Sequence, residues 1–155
     1  MNKYKNHLNY NYCNTKLNNN AYINRVPVNS DVGYIELYIT QRLGTEFPTN
    51  AVVTIYVRHE DNQIPVKNFV VTTNPTIIEL PVANPQGTLI EGPEYFFTPY
   101  DLTIESEGYF KISTLNIRLF PKITTRFYYN LNEIMQNEPY KEEVINLPTH
   151  PKDIL

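Results

Sequence analysis

The sequence is short of the residues on which several large classes of protein depend. Its 155 residues include one cysteine, five glycines and no tryptophan. A single cysteine excludes a disulfide-held miniprotein and a zinc site built on cysteines, and so few glycines exclude a collagen-like repeat. No run of about 18 apolar residues occurs, so no transmembrane helix is predicted.

The residue patterns of common catalytic sites are missing as well. No G-x-S-x-G serine elbow occurs, and the scattered glycines form no phosphate-binding loop ahead of a helix. His59, Glu60 and Asp61 are adjacent, which suits a solvated turn better than a metal site. Asp101 and Glu105 are four residues apart on one predicted strand and therefore point to the same face, which we interpret as the ordinary polar face of that strand. We therefore predict no enzymatic activity, no metal and no cofactor.

What the chain does contain is typical of a single β-rich domain. It has thirteen tyrosines, seven phenylalanines and twelve prolines, and 41% of its residues are hydrophobic. This length suits one domain with a substantial core. The formal net charge of −3 argues against a general affinity for nucleic acid. Composition predicts a soluble β-rich protein and names no function.

Residues 1–30 differ from the rest of the chain, and we call them the arm. They hold ten of the twenty asparagines, four tyrosines and no acidic residue. Their four cations give the arm a charge of +4 and leave −7 for residues 31–155. The arm lacks the apolar stretch of a secretory signal, so synthesis in the cytoplasm is expected. It is either a disordered leader or a segment that docks on its own body or on a neighbour.

From residue 33 onward, alternation of apolar and polar residues predicts seven strands. We predict a seven-stranded antiparallel β-sandwich, transthyretin-like or Ig-like, over residues 31–131. A proline-containing C-terminal extension follows at 132–155. The predicted strands are 33–40, 51–57, 66–72, 76–80, 100–105, 109–120 and 123–131, of which 51–57 is expected to be buried on both faces.

Three further local features are predicted. The parity of the apolar residues changes within 109–120, which indicates a β-bulge near Ser113–Thr114. Residues 132–136 are a candidate helical turn. The long segment 81–99 is predicted as a loop packed by its own aromatic side chains, since loops of that length are usually functional or self-packed.

Three segments resemble carboxypeptidase regulatory-like domains, which have a transthyretin-like fold. Ala51–Ile55 matches their A-x-V-x-I strand, and Tyr100–Ile104 followed by Gly108 and Tyr109 resembles their central hairpin. Residues 116–121 resemble a closing segment that is typical of such domains in spore-forming Firmicutes. The usual T-D-x-x-G-x-F turn is absent. The resemblance implies a binding or building-block role and supplies no catalytic residues.

Our first functional hypothesis is a structural subunit. Its arm would insert into a neighbouring copy and build a homo-oligomer or filament. We expect its place to be a spore or cell surface, among cell-wall or spore-coat components. A head-to-tail contact of this kind does not close and therefore makes filaments. The candidate arm contacts are Tyr4, Tyr10, Tyr12, Cys13, Lys16 and Tyr22, with Cys13 as a possible intermolecular lock.

The alternative hypothesis is a carbohydrate- or peptidoglycan-binding accessory module. Exposed tyrosine rings could stack on sugars, with help from the 81–99 segment. The high β-propensity of tyrosine also explains its presence in strands, so both interpretations stay open. The candidate ligand or packing residues are Tyr34, Tyr38, Tyr56, Tyr95 and Tyr128.

Overall fold

The computed structural model describes residues 31–42, 44, 46–48 and 50–150. This part of the chain is all-β, with ten strands and no helix. The arm, with the contacts predicted for it, lies outside the described residues. The strands are β1 (Val32–Gln41), β2 (Val52–His59), β3 (Asn62–Val70), β4 (Thr76–Pro81), β5 (Ile90–Glu91), β6 (Phe96–Phe97), β7 (Tyr100–Glu105), β8 (Lys111–Ile117), β9 (Thr124–Leu131) and β10 (Glu142–Asn146).

The strands form three sheets. The first has the order β4-β1-β9, the second β10-β8-β7-β2-β3, and the third pairs β5 with β6. β1 and β9 run parallel, as do β10 and β8, whereas the other pairs are antiparallel. The structure therefore has three more strands than the seven predicted, and two of its pairings are parallel rather than antiparallel.

One hydrophobic core is built from both larger sheets, in a sandwich-like manner. Ile35, Leu37 and Ile39 of β1 are completely or almost completely buried, and so are Ile55 of β2 and Leu102 of β7. Period-two alternation produces this, because every second side chain of a strand points to the same face. Burial of each such side chain contributes about 1.5–3 kcal/mol.

The burial predicted for both faces of β2 was wrong. Val53, Ile55 and Val57 are fully buried, but the alternate residues Val52 and Thr54 are only half-buried. The apolar run in β2 reflects the β-propensity of valine on both faces rather than a cover over the outer face.

The predicted bulge in β8 exists, just beyond Ser113–Thr114. Leu115 and Asn116 together stand opposite the single residue Asp101 of β7. Asn116 has a φ of 63°, in the left-handed region that asparagine tolerates better than most residues. The bulge re-aims the backbone at this end of the sheet.

The predicted helical turn at 132–136 was wrong. Its backbone bonds to the turn between β7 and β8: Phe110 N–H donates to Asn132 O and Ile134 N–H donates to Gly108 O, both at 2.9 Å. These long-range partners replace the local bonds of a helix. The chain then continues into β10, which pairs in parallel with β8.

Candidate functional site

The outer strands of the two larger sheets differ in how well they are protected against further pairing. Exposed edges invite another strand, and proteins discourage this with prolines, lysines, bulges and short lengths. β3 has a proline, Pro65, a lysine, Lys67, and a bulge formed by the extra residue Val66. β10 is short and begins with Glu142 and Glu143.

β9 lacks these protections, and its one charged side chain, Arg126, is paired with Glu36 of the neighbouring strand. It is eight residues long and contains no proline, no lysine and no bulge. Its pairing with β1 is unbroken from Tyr34–Thr124 to Gln41–Leu131. Its other side pairs with no strand among the described residues. β4, at the opposite side of the same sheet, is shorter and ends in Pro81. We call the unpaired side of β9 the β9 edge.

The outer face of the β4-β1-β9 sheet has an aromatic pair beside this edge. The rings of Tyr38 on β1 and Tyr128 on β9 stack with centroids 4.6 Å apart and planes 13° apart. This spacing matches the distance of about 4.8 Å between neighbouring strands, so the stack runs across the sheet. Tyr128 is 72% exposed, and the second face of its ring therefore lies toward the β9 edge.

An ion pair stands next to the stacked rings. Arg126 Nε lies 2.5 Å from Glu36 Oε2, and Glu36 also accepts a 3.2 Å hydrogen bond from the hydroxyl of Tyr38. Desolvation, followed by the Glu36 carboxylate, raises the pKa of Tyr38. These contacts hold Tyr38 in place as a neutral ring under Tyr128.

The arm joins the body at the centre of this same sheet. Val82 N–H donates to Asp31 O and Lys122 N–H donates to Val32 O, both at 2.7 Å. The start of β1 is thus flanked on one side by the exit of β4 and on the other by the turn before β9.

Three of the five tyrosines predicted as a ligand or packing surface come together. Tyr34, Tyr38 and Tyr128 share the outer face of the β4-β1-β9 sheet. Tyr56 is half-buried on β2, in the other sheet. Tyr95 belongs to the β5–β6 hairpin, so the five do not form a single surface.

Tyr95 takes part in internal packing around Arg118. The guanidinium carbon of Arg118 lies 5.2 Å from the ring centre of Tyr95, 4.1 Å from that of Phe97 and 5.0 Å from that of Phe120. Cation–π attraction of this kind is strongest where water is excluded. The 81–99 segment thus contains the β5–β6 hairpin rather than only the predicted loop, and its rings pack on Arg118 and Phe120 from beyond β8.

Sequence analysis missed a buried ionic cluster. Asp101 is 1% exposed, although we interpreted it from the sequence as part of the ordinary polar face of a strand. Arg58 binds both of its carboxylate oxygens at 2.7 Å, Gln63 donates at 2.9 Å and the backbone N–H of Asn116 at 3.0 Å. Burial by itself raises the pKa of Asp101, but these donors outweigh it and hold the pKa below the ordinary value.

One signal could have revealed this cluster. Tyr56 pairs directly with Asp101, so Arg58 is the diagonal neighbour of Asp101 on the same face, within reach of a long side chain. Glu105, which shares the face, is exposed and lies 3.5 Å from Lys111. His59, the last residue of β2, and the turn residues Glu60 and Asp61 are all exposed, and only Glu60 and Asp61 form the turn that was predicted for the three.

A shallow pocket of about 380 Å³ lies at the other end of β7. It combines two aromatic rings with charged groups, and none of the predicted tyrosines lines it. Lys111 in its wall also lies 3.5 Å from Glu142 of β10. The side chains that define it are those of Glu105, Glu107, Tyr109, Lys111 and Tyr140.

Comparison with known proteins adds no relationship. No protein-family model matches the chain, and no curated protein matches it either. Within the described ranges, no helix is long and apolar enough to cross a membrane.

Proposed function

We propose that this protein is a non-enzymatic structural subunit that assembles with copies of itself through its N-terminal arm. The product would be a fibre or coat, consistent with a place on a spore or cell surface. Its body would be a transthyretin-like sandwich of the carboxypeptidase regulatory-like type, which is a fold used for building blocks and recognition modules.

The observation that carries this proposal is the unprotected β9 edge. Thr124–Leu131 is eight residues long, and β1 pairs with one side of it. The backbone N–H and C=O groups on its other side pair with no strand among the described residues. Long unprotected edges of this kind template addition of a strand from another chain. β3 is also an edge strand, but it contains Pro65 and Lys67, which discourage further pairing. The β3 edge is therefore protected, whereas the β9 edge is not.

The charge distribution supports the same proposal. The arm carries four cations and no acidic residue, while the remaining 125 residues carry a net charge of −7. Opposite charges on two docking surfaces speed their association and help to fix their relative position. The charge difference therefore favours docking of the arm on an acidic body.

Removal of residues 1–30 tests the proposal. We expect the full chain to sediment as a concentration-dependent assembly, and the truncated chain to sediment as a monomer with an unchanged far-ultraviolet spectrum. A second variant, Tyr10→Ser with Tyr12→Ser in the full chain, keeps the arm's length and charge and should also weaken assembly. Full assembly of both variants, or a strictly monomeric full chain, contradicts the proposal.

A second candidate function rests on the pocket beside β7. Two tyrosine rings next to carboxylates and an ammonium group are a combination suited to sugars, and the volume of about 380 Å³ falls within the range of small-molecule sites. Retention on purified peptidoglycan that is lost in Tyr109→Ala with Tyr140→Ala would support a carbohydrate-binding accessory module. Retention unaffected by these substitutions, or none at physiological salt, would refute it.

A further inference from the structure

We propose that residues 8–13 of one copy add as a strand to the β9 edge of a second copy, with Tyr10 extending the Tyr38–Tyr128 stack and Tyr12 on the same face of the added strand. This rests on the proposed function and names the two surfaces that meet. The occupant is thus a segment of the arm, and the receiving element is Thr124–Leu131.

Residues 8–13 are the stretch of the arm that best suits a strand. Leu8, Tyr10 and Tyr12 alternate with Asn9 and Asn11 over the sequence Leu-Asn-Tyr-Asn-Tyr-Cys. In an extended backbone, the leucine and both tyrosines would point to one face and the asparagines to the other. Tyrosine is among the residues that favour strands, whereas the tract contains neither proline nor glycine.

The aromatic stack on the body indicates which face the tyrosines would take. Tyr128 stacks on Tyr38 on one side, and its exposed second face lies toward the β9 edge. A strand added there would stand about 4.8 Å away, the spacing at which aromatic cross-strand neighbours contact one another. Tyr10 would therefore continue the ladder of rings by one strand, and Tyr12 would stand two residues further along the same face.

The length of the connection permits this docking between copies. Residues 14–30 separate the tract from Asp31, and seventeen extended residues span up to about 60 Å. This reach is sufficient for the β9 edge of a second copy that lies beside the first.

Disulfide trapping tests the pairing face by face. The donor is the full chain with Cys13→Ser and Tyr10→Cys, and the acceptor is an affinity-tagged full chain with Cys13→Ser and Tyr128→Cys. Each copy then has one thiol, so a mixed disulfide can form only between copies. Asn11→Cys replaces Tyr10→Cys in the matched donor control, and Lys67→Cys on β3 is the matched acceptor control.

We expect a mixed disulfide from the Tyr10→Cys donor with the Tyr128→Cys acceptor, and its loss to background in both controls. A disulfide requires Cα atoms about 4.4–6.8 Å apart, so only thiols on one face of adjacent strands qualify. The same scan with Tyr12→Cys and with Thr124→Cys of the acceptor determines the register, because Thr124 and Tyr128 share the exposed face of β9.

The outcomes separate this inference from the function on which it rests. Assembly of the full chain with no mixed disulfide at β9 would refute the assigned edge and leave arm-mediated assembly standing. Equal trapping from Asn11→Cys would refute the assigned face. A chain with both Tyr10→Cys and Tyr128→Cys that closes into an oxidised monomer at low concentration would show docking within one copy and overturn the proposal.

Discussion

Replacement of Asp101 by asparagine is the sharpest test of the interior of the structure. The substitution keeps the shape of the side chain but removes the charge that binds Arg58 through two 2.7 Å contacts. It also turns a donating amide group toward donors on Arg58, Gln63 and Asn116. Removal of one member of a buried ion pair typically costs about 3–5 kcal/mol.

The expected cost here is lower, because Arg58 is 38% exposed and can turn toward water. We predict a loss of about 2–4 kcal/mol in the free energy of unfolding. For a chain of 155 residues, that corresponds to a fall in Tm of roughly 5–15 °C. Chemical denaturation followed by circular dichroism measures the change.

Glu105→Gln is the matched control. Glu105 lies on the same strand and the same face but is exposed, and its contact with Lys111 is a 3.5 Å surface pair. Surface pairs of this kind contribute about 0–1 kcal/mol. If Asp101→Asn costs no more than Glu105→Gln, the argument that the cluster stabilises this end of the sheet is refuted.

The pH dependence of the Asp101 cluster has a definite sign. The pKa of Asp101 is lowered in the folded chain, so its contribution is fully present above the ordinary aspartate pKa of about 3.9. That contribution is lost as the pH falls through the lowered folded pKa. Below about pH 4, stability should decline less steeply in Asp101→Asn than in the native chain, as measured by denaturant midpoints across pH.

Three further predictions concern the core. Tyr100→Phe should cost about 1 kcal/mol, because the hydroxyl donates a 2.5 Å hydrogen bond to Pro81 O; equal denaturant midpoints would contradict this. Gly87→Ala should cost about 1–3 kcal/mol through overpacking, since a Cβ would lie 2.5 Å from Thr98 Cγ2; an unchanged Tm would show that the site relaxes freely. Burial raises the pKa of Tyr100 and of Tyr129 to about 12, so stability should fall as the pH rises above about 10, and absorbance titration should show that Tyr100→Phe and Tyr129→Phe each remove a late-ionising group.

Period-two alternation was enough to predict the strands that build the core. The pattern of β1 is unambiguous because one face is buried and the other is wet. β3 was predicted too short because Pro65 argues against a strand, yet an edge strand tolerates proline. β10 was missed because four of its five residues are exposed and leave no alternation to detect.

The candidate site was less predictable, because it depends on which strands end up at the edges. β9 was predicted as a strand from its sequence, but its position beside β1 follows from a parallel pairing across 90 residues of chain. The same pairing brings Tyr128 onto Tyr38. Tyr56 and Tyr95 look equivalent to these residues in the sequence and are separated from them only by topology.

Hydrogen–deuterium exchange of the full chain across a range of concentrations tests docking between copies most directly. The central claim predicts that backbone amides of β9 (Thr124–Leu131) gain protection as the protein concentration rises, while those of β3 (Asn62–Val70) do not. Protection of β9 that is independent of concentration, or identical in a chain lacking residues 1–30, would contradict the claim.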